Sequence, residues 1–355
     1  MTEKQKKYLI VAPSWIGDMV MSQSLYRLLK MKYPECIIDL LVPKPAYELG
    51  FFMPEVNEVI LAPFKHKQFD FNLRKQIGKS LKNKAYTDCI ILPNSWKSAL
   101  TPFFAKIKKR TGFKGESRYI LLNDLHRLDK LELPTMSERF CALGIKKDEV
   151  LDKNLPEPKL VVDESKIEET LKKFNLDQIQ NNHKIIAFAP GAEFGEAKRW
   201  PEKYFAQIAT KLIEKDYVVL LLGGKGDQVI TQKIVNFVGN ISSTNHLIDL
   251  AGKTTISEVV HILSSVDGIL ANDTGLMHIA NSFSKPTLVI YGSSSSGFTP
   301  PLNKNATSIY LKNLPCRPCF KRTCPLGHMN CLNQLTPEVV FQKFELDVLA
   351  QIKLS

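Results

Sequence analysis

The sequence predicts two parallel α/β units in tandem. A strand–helix–strand pattern opens the chain, the same alternation restarts at Lys184, and the stretch between them is polar and broken by prolines. With 355 residues the chain also exceeds what one ordinary core fills. We place the units at residues 1–165 and 166–335, with a terminal helix, 336–355, that could pack back on the first unit.

The first unit begins with an apolar strand at residues 8–12. Met21, Leu25, Leu28 and Leu29 follow at helical spacing, and residues 36–42 form a second strand. Such a βαβ start implies parallel pairing and a right-handed crossover. Val59–Leu61 and Asp88–Pro93 read as further strands, Leu73–Lys84 and Ser95–Lys106 as helices, and Lys106–Lys114 as a basic stretch, strand-like at best. Residues 148–183 form the connection, with Leu155-Pro-Glu-Pro158 breaking regular structure and a charged helix over 161–175. Strands then recur at 184–190, 217–222, 246–250, 268–271 and 286–291, with apolar helical spacing between them. At the end, Thr336-Pro-Glu suits a helix start, and Phe341, Phe344, Val348 and Ile352 make one apolar stripe.

Hydrophobic residues at 44% and charged residues at 24% are normal for a globular protein. No apolar run reaches the roughly 18 residues of a membrane helix, and the first apolar run is too short for a signal peptide, so a cytoplasmic location is expected. The net charge of +12 is uneven: residues 1–150 carry +10 and the remainder +2. An anionic partner should meet the first half, whether nucleic acid, membrane surface or acidic substrate. Cys36, Cys89 and Cys141 sit among apolar neighbours and read as core. Cys316, Cys319, Cys324 and Cys331 form a group that is metal-binding or reduced rather than disulfide-bonded. Its spacing lacks the paired pattern of a zinc ribbon, and we expect no metal there.

Candidate chemistry lies where strands turn into helices. Leu270-Ala-Asn-Asp-Thr-Gly-Leu-Met-His278 follows one strand and opens a helix. Asp273 and Thr274 suit the turn, Gly275 permits close approach, and the leading amides with Leu276 would welcome a diphosphate. His278 shares the helix face of Thr274. An ordinary capped helix explains the same residues. Asp18, in the turn after the first strand, fits either a helix N-cap or a general base whose ionised form a helix N-terminus favours. Lys198, in Ala197-Lys-Arg-Trp-Pro201, could neutralise a leaving group. Asn94, Ser95 and Lys97 stand in the matching turn of the first unit. With Arg118 and the nearby lysines they could meet an anionic acceptor. Gly292-Ser-Ser-Ser-Ser-Gly297 reads as a mobile loop without chemistry. Neither Pro13–Asp18 nor Gly223–Asp227 has dinucleotide-fingerprint or Walker spacing, and no Asp-x-Asp pair occurs for a metal-borne sugar nucleotide.

In joint order these motifs resemble the heptosyltransferases of lipopolysaccharide core synthesis, glycosyltransferase family nine. The resemblance runs from Tyr8 to the final helix. It rests on Pro13–Tyr26, Leu92–Leu100, Arg110–Tyr119, Pro190–Gly195, Ala197–Pro201, Asn272–His278 and Phe298–Pro301. It implies a GT-B fold, two Rossmann-like domains facing across a deep cleft, with acceptor on the first and ADP-sugar on the second. It implies that Asp18 is the base and that Lys198 contacts the diphosphate or sugar. Asp273 would hold heptose hydroxyls, Thr274, Gly275 and Leu276 the phosphates, with His278 beside them. Asp227 would be the acidic ribose contact, although Gly223–Asp227 is not a clean match.

The function so implied is inverting transfer of L-glycero-D-manno-heptose from ADP-heptose to the first heptose of the inner core (lipid A–Kdo–heptose). No cofactor is required, the location is the cytoplasmic face of the anionic inner membrane, and nucleic acid is no partner. The rivals are a family member with another core acceptor, such as heptosyltransferase I, a nucleic-acid-binding Rossmann protein and a nucleotide-dependent epimerase.

Overall fold

The computed structural model describes residues 5–64, 68–239 and 246–354. Most of the charged N-terminal stretch lies outside them. The chain divides into two compact units, Met1–Val161 and Val162–Ser355.

Unit 1 contains strands β1 (Lys7–Val11), β2 (Ile37–Pro43), β3 (Glu58–Ala62), β4 (Asp88–Ile91), β5 (Lys109–Phe113) and β6 (Asp124–His126). Its helices are α1 (Ile16–Lys32), α2 (Phe71–Leu81), α3 (Leu100–Phe104) and α4 (Met136–Ala142). The sheet order is β3-β2-β1-β4-β5-β6, parallel throughout. Leu9, Val11, Leu41, Cys89, Ile91 and Leu100 share one buried cluster, as continuous apolar strands covered by helices require.

Unit 2 contains β7 (Ile185–Ala189), β8 (Val218–Leu221), β9 (Leu247–Asp249), β10 (Gly268–Asn272), β11 (Thr287–Ile290) and β12 (Ala306–Ile309). Helices α5 (Glu164–Lys173), α6 (Asp177–Gln180), α7 (Glu202–Ile213), α8 (Gln228–Val238), α9 (Ile256–Ser265), α10 (Gly275–Asn281), α11 (Asn330–Asn333), α12 (Pro337–Phe344) and α13 (Ala350–Leu354) accompany them. This parallel sheet runs β12-β11-β10-β7-β8-β9.

Read from the other edge, the second order is the first one again. The chain starts in mid-sheet, builds three strands outward, returns, and builds three the other way. Order therefore reverses between β1 and β4 in unit 1 and between β7 and β10 in unit 2. The loops after those strands diverge there and leave a crevice at the strands' C-terminal ends, where doubly wound sheets hold ligands.

The terminal helix is corrected. Val340, Phe341, Phe344, Val348 and Ile352 lie in the core of unit 2 with Ile186, Phe188 and Leu270. Its stripe is spent beneath the second sheet, in the unit to which the helix belongs. Gly268 makes room for it, since a Cβ there would stand 2.8 Å from both Ile352 Cδ1 and Val348 Cγ1.

Candidate functional site

In unit 2 the crevice is built by Asn272, the last residue of β10, which is fully buried. Its Nδ2 donates to the Pro190 carbonyl at 2.6 Å, and its Oδ1 accepts from the Trp200 amide at 3.2 Å. One side chain thus fixes both ends of the loop after β7. Trp200 is buried below, its Nε1 donating to the Leu335 carbonyl at 2.8 Å.

That clamp sets Lys198 against the next residue of β10's turn. Lys198 Nζ donates to Asp273 Oδ2 at 2.6 Å, with the side chains 16% and 4% exposed. Thr299 Oγ1 donates to Asp273 Oδ1 at 3.2 Å. The Phe194 ring lies 5.1 Å from Lys198 Nζ and 5.0 Å from the Arg322 guanidinium. The site therefore holds a cation and an anion that neutralise each other, and a polar ligand bearing both hydroxyls and phosphates can take one partner each.

Thr274 caps α10 in extended conformation with no side-chain bond to the helix. It, Gly275 and Leu276 are half-buried, and the first amides of a helix have no partner within it. His278 lies beneath this turn, buried, with Nδ1 unpaired. Burial lowers its pKa from 6.5 to about 4, against the pull of Asp273 and with the push of Lys198. It is a neutral imidazole in the floor and not a surface contact.

Asp227 stands apart, beyond β7 at the end of β8. Its Oδ2 accepts from the Gly224 amide at 2.9 Å. A Cβ on Gly191 would come within 2.2 Å of its carboxyl group, so the glycine is what admits Asp227 beside the Pro190 loop.

The Gly292–Gly297 loop also differs from expectation. Ser293 and Ser294 are buried and their hydroxyls are unpaired. The Ser293 amide donates to the Ala197 carbonyl at 2.9 Å, which makes this loop a packed wall beside Lys198. Its position at the end of β11, two strands from the reversal, was the available signal; its serine–glycine composition concealed it.

In unit 1, Asp18 lies in the first turn of α1, three residues past the capping position, which Trp15 occupies. The N-cap explanation of Asp18 is thereby removed. Its side chain is partly exposed in the turn after β1, the strand at the reversal.

Asn94, Ser95 and Lys97 follow β4, the neighbouring strand at that reversal. Asn94 is exposed and Ser95 half-buried. The Asn94 carbonyl accepts from the Glu116 amide at 3.1 Å, and Gly115 has φ +50° with its Cβ position only 2.3 Å from that oxygen. Lys97 Nζ reaches the Gln68 carbonyl at 3.4 Å.

Arg118 is corrected. It is fully buried, donating to the Pro93 carbonyl at 2.7 Å, Ser98 Oγ at 3.2 Å and the Phe113 carbonyl at 2.5 Å. It positions the Asn94–Lys97 turn and offers no charge to an acceptor. Among the described residues the compact group of metal-ligand type is His183, Asp216 and His246, at the opposite ends of the strands from this site.

Two doubly wound parallel units in tandem, each with polar side chains gathered where its strand order reverses, have the architecture of two-domain nucleotide-sugar transferases. The model of glycosyltransferase family 9 (heptosyltransferase) matches residues 74–330. A lipooligosaccharide heptosyltransferase 2 of Haemophilus influenzae is 42% identical over 94% of this chain and 97% of its own. A lipopolysaccharide heptosyltransferase 2 of Escherichia coli is 40% identical over 95% and 97%. The solved ADP-heptose LPS heptosyltransferase II of E. coli superposes with a TM-score of 0.87 at 38% identity, covering 97% of this chain and 99% of that one. The chain belongs to glycosyltransferase family 9 and has its GT-B-like two-domain fold.

Proposed function

We propose that this enzyme transfers heptose from ADP-heptose to the first heptose of the lipopolysaccharide inner core. The Lys198–Asp273 pair at the β7/β10 reversal, beside the α10 turn whose cap residue Thr274 makes no side-chain bond to the helix, carries the donor side of this reading. The full-length likeness to proteins named heptosyltransferase 2 supports the acceptor.

In the proposed step, Asp18 takes the proton of the acceptor's 3-hydroxyl as that oxygen bonds to the anomeric carbon. The anomeric C–O bond to the diphosphate breaks, and its electron pair leaves with ADP. Lys198 and the amides at Thr274, Gly275 and Leu276 meet the charge that develops there, while Asp273 holds donor hydroxyls and Asp227 the ribose. Asn94, Ser95 and Lys97 meet the acceptor. No cofactor enters this chemistry. No helix among the described residues is long and apolar enough to cross a membrane. The charge of +10 on residues 1–150 suits a phosphorylated acceptor at the anionic cytoplasmic face of the inner membrane.

A coupled ADP-release assay with ADP-heptose and core acceptors carrying no heptose or one heptose tests the reading. Release should require the one-heptose acceptor, and Asp18→Asn should lower turnover roughly 10²-fold or more with its fold intact. Preference for the heptose-free acceptor would assign the first transfer instead, and near-normal turnover by Asp18→Asn would remove it as the base.

A further inference from the structure

From Leu311 to Asn330 the chain runs without a strand, and its first helical residue is Asn330. No residue from Tyr310 to Cys331 is fully buried. A stretch of this length with neither ladder nor apolar core has little to offset the entropy of ordering it. Yet it holds a defined course against the donor site. The Arg322 carbonyl accepts from the Ala197 amide at 3.0 Å, and the Phe320 amide donates to the Ser293 carbonyl at 2.8 Å. The Arg317 guanidinium donates to the carbonyls of Gly292 at 2.9 Å and Ser294 at 3.0 Å. A Cβ on Gly195 would lie 2.4 Å from the Arg322 carbonyl oxygen, so the two loops are in close backbone contact. Whatever shapes this segment also shapes the loop that carries Lys198.

The segment contains four of the seven cysteines, spaced Cys316-x2-Cys319-x4-Cys324-x6-Cys331. All four are reduced, half-buried, and turned toward one cavity of about 20 Å³, which is room for a single ion or water. Gly327, at φ +71°, permits the tight turn after Cys324, its amide donating to the Cys324 carbonyl at 3.1 Å. His328 also lines the cavity, but its Nδ1 already accepts from the Asn330 amide at 3.0 Å. The donor set is therefore four sulfurs.

We propose that Cys316, Cys319, Cys324 and Cys331 bind one thiophilic divalent ion, zinc or iron, as a structural tetrathiolate. Soft thiolate donors in a group of four select these ions. The four thiols line the cavity without standing at ligand spacing from one another, and the ion would draw them together as their protons pass to solvent. The site is closed by four protein ligands and has no open position for substrate, so its work is to staple a coreless segment against the Gly195–Lys198 and Gly292–Ser294 loops. This revises the expectation that the cysteine group holds no metal, while leaving the transfer chemistry free of one.

The test uses the untagged full-length protein purified anaerobically. Elemental analysis and native mass spectrometry should find about one zinc or iron per chain, lost on denaturation. A thiolate-to-iron absorption band identifies iron, and a full equivalent of metal without it identifies zinc. A mercurial titration should release the metal as four thiols react. Cys319→Ser and Cys324→Ser should each lose most of the metal, whereas Cys36→Ser, in the other unit, should keep it. The proposal is overturned if wild-type protein carries no metal and takes up none from a buffered zinc solution. An intact mass showing disulfides among these cysteines would overturn it as well.

Discussion

At the scale of single residues, the proposed donor site of unit 2 depends on a charge pair that is mostly out of water. Removing Lys198 leaves the Asp273 carboxylate, 4% exposed, without its cation. Stranding a buried charge in this way costs about 3 kcal/mol or more. Lys198→Ala should therefore lower both kcat/KM, by roughly 10²-fold, and thermal stability. Adding Asp273→Asn should restore the melting temperature and leave activity low. Recovery of activity in the double variant would deny Lys198 a role in the reaction.

His278 gives a pH signature. Its pKa is about 4 in the fold against 6.5 in the open chain. Between those values the unfolded chain binds a proton that the folded one refuses. Stability from this group is complete above pH 6.5 and is lost as pH falls toward 4, by about 3 kcal/mol in all. Urea midpoints at pH 7.5 and 5 should differ less in His278→Gln than in the native chain. His126 and His261, also held low mainly by burial, keep part of the slope in both.

What could be read at this scale depended on whether a residue's place follows from its neighbours in sequence. Asp273-Thr-Gly announces itself, because an apolar run before it and a helical run after it define a turn at a strand end. Arg118 does not. It lies in a basic stretch that looks solvated, and only the return of Pro93 and Phe113 carbonyls around it makes it a buried clamp. Ser293 and Ser294 fail for the same reason, since their burial comes from Ala197 and the cysteine segment, distant in sequence.

At the scale of elements, the long apolar strands and the α1, α7 and α8 helices were legible from periodicity. The edge strands β3 and β9 were legible too, but β6 and β12 were not. β6 is Asp-Leu-His and β12 is Ala-Thr-Ser-Ile, too short and polar to show a period, and their neighbours β5 and β11 recruit them. The terminal helix was legible as an element but not in its destination, because an apolar stripe says that it packs and not on what. Its seat is set by Gly268. Gly268→Ala should cost about 1–3 kcal/mol by overpacking, measured by urea unfolding, since its Cβ would press on Val348 and Ile352. Val348→Ala in the same chain should recover part of that loss. An unchanged midpoint in Gly268→Ala would mean that the helix shifts freely on the sheet.

At the scale of the molecule, the tandem α/β design was legible because both units repeat one alternation. The sheet order was not, because a pattern of strands and helices does not say on which side of β1 or β7 the fourth strand is laid. That choice puts Asp18 and Asn94 at one reversal and Lys198 and Asp273 at the other. The charge contrast between the halves was legible from composition and suits the proposed division of labour between acceptor and donor.

The placement of the terminal helix has a consequence for biogenesis. Unit 1 is one uninterrupted stretch of chain, complete at Val161, so it can fold while the ribosome is still translating the rest. Unit 2 cannot finish in that way, because Phe344, Val348 and Ile352 belong to its core and are still inside the exit tunnel when its last strand emerges. A chain halted before Phe344 thus carries one finished half and a second sheet whose apolar face still lacks its cover.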